Sequence, residues 1–167
     1  MAGEANQWDG VVAQATGGGR FQTAIRVRDA VILADEPVAV GGLATGPTPY
    51  ELLSAALAAC TSMTLRLYAE RKRWTLPAFS VEVAHSLVPA DGAGAPPRDR
   101  FDRRIAFEGA LDEAQRSKLL EIADKCPVHR TLMRGFEIRT CFGPPDVHPA
   151  GEPAAEHERQ MEQACAE

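Results

Sequence analysis

An α+β architecture is predicted by three observations. The first forty residues break into short segments with apolar residues at every second position. A long run of alanines, leucines and methionine then follows an abrupt helix-start signal, and a second group of period-two segments precedes two further helical patterns. Strands and helices therefore come in separated runs, in the order βββα, ββ, αα, β, which favours antiparallel strands covering helices on one face over alternating parallel units. At 167 residues and 45% hydrophobic content, the chain can bury one sizeable core and is short for two ordinary domains.

Phe21, Thr23, Ile25 and Val27 alternate with their neighbours, a third strand is expected over Val31 to Ala34, and Gly17-Gly18-Gly19 and Arg28-Asp29 supply turns. Gly41-Gly42-Leu43-Ala44-Thr45-Gly46 is a link with so little side chain that it can approach other backbone closely. Thr48-Pro49-Tyr50-Glu51 then places Thr at a helix N-cap, Pro at the first helical position and Glu at the third, which satisfies orphan amides reciprocally. From there to about Lys72 apolar residues surround the axis on nearly every side, so the helix is expected to be buried.

Phe79, Val81, Val83 and Leu87 form one strand face, and Phe101, Ile105 and Phe107 another across the loop Pro89 to Asp99, predicting a hairpin. Asp112 and Gln115 cap a helix carrying Leu119, Leu120, Ile122 and Ala123, which ends before Pro127. A short helix from Pro127 to Met133 stops at Gly135, and Phe136, Ile138 and Thr140 alternate in a final strand. After Gly143 the chain is rich in Pro, Glu and Ala. Pro153 to Ala166 could form an amphipathic helix, with a frayed or disordered tail preferred, and no chemistry is assigned to it.

The net charge of −5 is spread over interspersed acidic and basic residues, so no basic face points to nucleic acid. The uncharged run between Leu52 and Arg66 contains Ser54, Thr61, Ser62 and Thr64 and is short for a membrane span, which argues against a membrane partner. Met1 to Asp9 lacks the basic-then-apolar pattern of a signal peptide, and a cytoplasmic location is expected. In that compartment four cysteines are thiols rather than a disulfide framework.

Two of them stand in distinctive places. Cys126 precedes a proline suited to the first turn of the next helix, which makes it an N-cap; a thiol there faces free amides and the positive end of the helix dipole, and its pKa falls. Any small polar residue can cap a helix, so Cys126 reads either as an ordinary cap or as an activated thiol. Cys60 lies in Ala-Ala-Cys-Thr-Ser-Met, where desolvation quiets a thiol, and taken alone it reads as core.

The stretch Gly46-Pro47-Thr48-Pro49-Tyr50-Glu51-Leu52-Leu53 continuing to Ala58-Ala59-Cys60-Thr61-Ser62-Met63, with Lys125-Cys126-Pro127-Val128-His129 much later, resembles the paired cysteine motifs of the OsmC/Ohr family. The resemblance covers roughly Trp8 to Cys141, giving a domain over 8–141 and a tail over 142–167. It implies the OsmC-like α+β fold with a long central helix, an intertwined homodimer and reduction of organic hydroperoxides. Cys60 matches the peroxidatic position and Cys126 the resolving one, with an external dithiol, in the family a dihydrolipoyl group, reducing the disulfide. No metal or cofactor is implied.

The family's reductases also use an Arg and a Glu around the peroxidatic thiolate. The Glu stands ten residues before the cysteine, where this chain has Tyr50; Glu51, nine residues from Cys60, reads as the cap of Thr48. Arg20, after Gly17-Gly18-Gly19, matches the family's arginine with an offset of one residue and is the candidate cation. Arg103 is its rival, because strand alternation puts it on the face of Phe101, Ile105 and Phe107. His85 and His129 read as packed or surface residues, and Cys141 and Cys165 as incidental. Cys126, His129, Cys141 and His148 offer zinc no common ligand spacing beyond one Cys-x-x-His. A redox sensor or small-molecule binder on the same fold is the alternative to a peroxidase.

Overall fold

The computed structural model describes residues 10–89, 94, 96–140, 142 and 153–166. The chain divides into two compact units, Met1–Leu53 and Ser54–Glu167.

The first unit is built on an antiparallel meander of β1 (Val12–Ala15), β2 (Thr23–Val27) and β3 (Ala30–Ala34). Its register pairs Ala13 with Ile25 and Ile25 with Ile32. Val27 faces Ala30 across a two-residue turn in which Arg28 takes a positive φ of 54°, the twist a tight hairpin needs. Beyond β3 the buried Asp35 carboxylate organises the glycine-rich link. It accepts the amides of Glu36 at 2.8 Å, Leu43 at 3.1 Å and Thr45 at 3.3 Å, and the Thr45 hydroxyl at 2.8 Å. Burial alone would raise the Asp35 pKa, and these donors outweigh it, so the carboxyl is held below its usual range. A Cβ at Gly46 would collide with the Leu33 carbonyl, so the close approach expected of this link is made at Gly46. Thr48 and Glu51 then cap α1 (Pro49–Lys72) reciprocally: Glu51 Oε2 accepts the Thr48 amide at 2.7 Å, and Thr48 Oγ1 accepts the Glu51 amide at 3.2 Å.

In the second unit α1 is followed by the hairpin of β4 (Phe79–Val88) and β5 (Arg98–Phe107), then α2 (Glu113–Asp124), α3 (Pro127–Arg134) and α4 (Pro153–Ala166). The hairpin ladder is unbroken from Phe79↔Phe107 to Val88↔Arg98. Asp112 and Gln115 make the capping box that starts α2. Leu65 and Tyr68 of α1, Leu119, Ile122 and Ala123 of α2 and Cys165 of α4 form the main core, ringed by Trp74, Phe79, Ile105 and Phe107. A smaller cluster gathers Leu57, Cys60 and Cys126 under Val83, Phe101, Val128 and Leu132.

Three expectations are corrected. The first concerns α1, which is buried along one side through Ser54, Leu57, Cys60, Thr61, Thr64, Leu65, Tyr68 and Ala69, while Leu53 and Met63 stand 44% exposed. The helix is 24 residues long and its most apolar 18-residue stretch has a mean hydropathy of 1.3, a pattern that core helices share with membrane spans. Its packing beside the hairpin cluster and α2 makes it a core helix. Second, Phe136 to Thr140 form no strand and pair with none of the described residues; Phe136 is 64% and Ile138 77% exposed. Alternation specifies the face a strand would bury, and only an available edge makes it a strand. Third, the tail is ordered into a helix from Pro153, because Ala164 and Cys165 are buried and Arg71 holds Glu162, Nη2 to Oε1 at 3.2 Å and Nη1 to the carbonyl oxygen at 2.9 Å.

Candidate active site

The smaller cluster brings Cys60 and Cys126 together, 66 positions apart in sequence and 3% and 0% exposed. Cys126 is the N-cap of α3, with extended backbone (φ −59°, ψ 141°) and Pro127 at the first helical position. The two free amides that follow go one to each sulfur. Val128 N–H donates to Cys60 Sγ at 3.5 Å and His129 N–H to Cys126 Sγ at 3.4 Å. The start of α3 thus serves negative charge on either thiol.

The two thiols sit in one buried cluster, and the surroundings separate them. Cys126 is pulled down to about 6, chiefly by the hydrogen bond from Cys60, with the His129 amide, Thr61 and the Arg103 charge overcoming burial. Cys60 is pushed up by its bond to Cys126, by burial and by the neighbouring charge, against the opposing pull of the Val128 amide and Thr64. The surroundings therefore favour a thiolate on Cys126 over one on Cys60.

Arg103 is a cation that the structure brings beside Cys126. The unbulged pairing Val83↔Arg103 aims it inward from β5, and its side chain is only 12% exposed. Nη1 donates to Thr61 Oγ1 and to the Ala123 carbonyl, both at 2.9 Å, and Nη2 to Asp124 Oδ1 at 2.7 Å. Thr61 Oγ1 lies 2.8 Å from the Leu57 carbonyl and 3.6 Å from Cys126 Sγ, so its hydroxyl proton has two acceptors and the side chain stands between guanidinium and sulfur. Arg20 lies in the first unit, exposed, with its guanidinium 5.0 Å from the centre of the Phe21 ring. Tyr50 is half exposed at the helix start, and Glu51 is engaged as the cap.

One contact escapes any reading of the sequence. His157 of α4 places Nε2 3.5 Å from Cys60 Sγ, 97 positions away. Its only local signal is the amphipathic pattern of 153–166, which says that the helix docks and not on what. Cys165 is structural: it is buried, its thiol donates to the Thr64 carbonyl at 3.8 Å, and burial raises its pKa. His85 is paired with Asp99 at 2.7 Å and tilted against Phe101, and His129 lies 3.9 Å from Asp124. Cys141 and His148 of the zinc reading lie outside the described residues, among which no three His, Cys, Asp or Glu side chains converge to hold a metal.

Comparison with known proteins agrees with this geometry at the level of fold. The family of OsmC-like proteins matches residues 42–140. The OsmC-like protein of Mycoplasma pneumoniae superposes with a TM-score of 0.56 at 22% identity, over 77% of this chain and 89% of that one. An organic hydroperoxide resistance protein of Bacillus subtilis gives 0.55 at 23%, over 75% and 90%. One from Elizabethkingia anophelis gives 0.57 at 18%, over 78% and 91%. At these identities the likeness is one of fold. No curated protein sequence matches the chain.

Proposed function

The chain belongs to the OsmC-like family, and on that premise we propose that it reduces organic hydroperoxides through Cys60 and Cys126. The observation that carries the reading is the pair of buried thiols gathered at the start of α3, each accepting one of its amides. Cys60 attacks the peroxide, the O–O bond breaks, and an alcohol and a Cys60 sulfenic acid result. Cys126 then attacks the Cys60 sulfur, water leaves, and the disulfide awaits an external dithiol, dihydrolipoyl groups being the family's choice. Two sulfurs in one buried cluster, each served by an amide of the same helix start, are placed to join. The apolar walls from Leu57, Val83, Phe101 and Leu132 suit an organic over an inorganic peroxide.

In this reading the catalytic cation is Arg103. Leu53, Met63, Phe136 and Ile138, exposed on a single chain, support a homodimer that covers them. Cys60, Cys126 and Cys165 as free thiols fit a reducing compartment such as the cytoplasm. The working domain includes α4 in addition to 8–141.

The resting charge on Cys126 favours one second reading, in which Cys126 attacks first. Single-turnover oxidation by cumene hydroperoxide, with mass spectrometry on wild type, Cys60→Ser and Cys126→Ser, decides. A wild-type disulfide with trapped Cys60 sulfenic acid in Cys126→Ser supports the proposal. A trapped Cys126 in Cys60→Ser, with Cys126→Ser inert, reverses the roles. Two inert thiols at excess peroxide would leave a binding module.

A further inference from the structure

We infer that His157, on the C-terminal helix and outside the residues that match the family, is a catalytic residue: its protonated ring draws the charge of the thiol pair onto Cys60 and then protonates the departing alkoxide. The inference rests on the hydroperoxide-reductase reading above and assigns the residue that makes Cys60 the attacking sulfur.

Three observations carry it. The first is contact: Nε2 lies 3.5 Å from Cys60 Sγ, and the ring is held there by a docked helix. That helix is anchored through Arg71 to Glu162 and through buried Ala164 and Cys165. The second is that the other nearby cation is committed to the other sulfur. Arg103 spends its donors on Thr61, Ala123 and Asp124 and acts on Cys126. The Arg103 charge thus favours thiolate at Cys126, not at Cys60. The third is access: Cys60 is 3% exposed, whereas His157 is half-buried, so the ring can trade protons with solvent on behalf of a sulfur that cannot.

Most of the charged and titratable groups around the site are paired with one another, while Arg130 and Arg134 of α3 line a cleft beside Glu156 of α4. On β5 and α2 the paired groups are Arg103 and Asp124, and on α3 His129, beside Asp124. On α4, Glu156 is held by Arg159 and Gln160, and Glu162 by Arg71 of α1. Of these groups His157 is the one bonded to Cys60 besides Cys126 itself.

The step balances as follows. With His157 protonated, the Cys60 proton passes to Cys126, and His157 Nε2–H donates to the Cys60 thiolate. The thiolate attacks the terminal oxygen of R–O–O–H, the O–O bond breaks, and the alkoxide takes the His157 proton and leaves as alcohol. Neutral His157 next accepts the Cys126 proton. Cys126 sulfur attacks Cys60 sulfur, the S–O bond breaks, and the hydroxide leaves with that proton as water. One peroxide is reduced and one disulfide is formed.

The test compares the reduced full chain with His157→Gln, which keeps an N–H donor without charge, and His157→Lys, which places a cationic donor at the same position. Iodoacetamide alkylation of each cysteine, resolved by mass spectrometry across pH 6–9, reads where the thiolate sits without any peroxide. At pH 6.5 the Cys60-to-Cys126 alkylation ratio should fall about 10-fold in His157→Gln and recover in His157→Lys. Single-turnover oxidation of Cys60 by cumene hydroperoxide should slow by ~100-fold or more in His157→Gln. A ratio unchanged within twofold in both variants, with native circular dichroism, overturns the inference. If the ratio moves while peroxide oxidises neither thiol in wild type, the hydroperoxide reading falls and the charge-placing role of His157 stands.

Discussion

Replacing Arg103 by Met should raise the Cys126 pKa by about one unit. The guanidinium reaches the sulfur in two legs, 2.9 Å from Nη1 to Thr61 Oγ1 and 3.6 Å from Oγ1 to Sγ, so Nη1 is within roughly 6.5 Å of the thiolate. At an effective dielectric near 20, opposite unit charges at that separation attract by ~2.5 kcal/mol, or ~1.9 pH units. Asp124, 2.7 Å from Nη2, cancels part of this, and halving leaves about one unit. The midpoint for Cys126 alkylation should therefore move from about 6 to about 7. Arg103→Lys, with its charge kept but the fork to Thr61 and Ala123 lost, should move it less. Both variants also give up charge-assisted hydrogen bonds worth ~1.5–3 kcal/mol each, so urea denaturation must first show that the variant is folded at the assay temperature. A folded Arg103→Met whose midpoint stays within about 0.3 units would show that Cys126 does not feel the guanidinium and would remove Arg103 from the site.

Stability should follow pH through Cys126. Its folded pKa, about 6, lies below the ordinary thiol value near ~8.5, so the stabilisation is complete above the latter and is lost as pH falls through the former. The melting temperature should accordingly drop from pH 8.5 to pH 6 more steeply in wild type than in Cys126→Ser, and parallel curves would contradict the thiolate assignment. Ile122→Ala, at a fully buried core position, should cost ~2–5 kcal/mol in chemical denaturation without moving the Cys126 alkylation midpoint. Gly46→Ala pushes a methyl into the Leu33 carbonyl and should destabilise the first unit by ~1–3 kcal/mol or more, seen as faster amide exchange in β3 and in the link held by Asp35.

Local chemistry made much of the fold legible. Thr48 with Glu51 and Asp112 with Gln115 act over a single helical turn, the hairpin over paired alternation, and Cys126 over the one peptide bond before Pro127; each is complete within a few residues. The inward aim of Arg103 was likewise readable from period-two alternation, but its partners were not, because Thr61 and Ala123 come from two helices that only packing brings to β5. The same limit applies to Phe136 to Thr140, whose alternation is real but whose pairing depends on an edge the sequence does not name.

By itself, then, the sequence determined the α+β class, the helix starts, the hairpin and the two cysteines, since all of these follow from short-range hydrogen bonding, periodicity and the residues adjoining each thiol. The tertiary structure alone decided how the thiols differ and what touches them. Cys60 reads as an inert core residue until Cys126, the Val128 amide and His157 meet its sulfur across 66 to 97 positions. The charge of a thiol depends on the field at the sulfur, and that field is set by groups converging in space, which no pattern of sequence neighbours encodes.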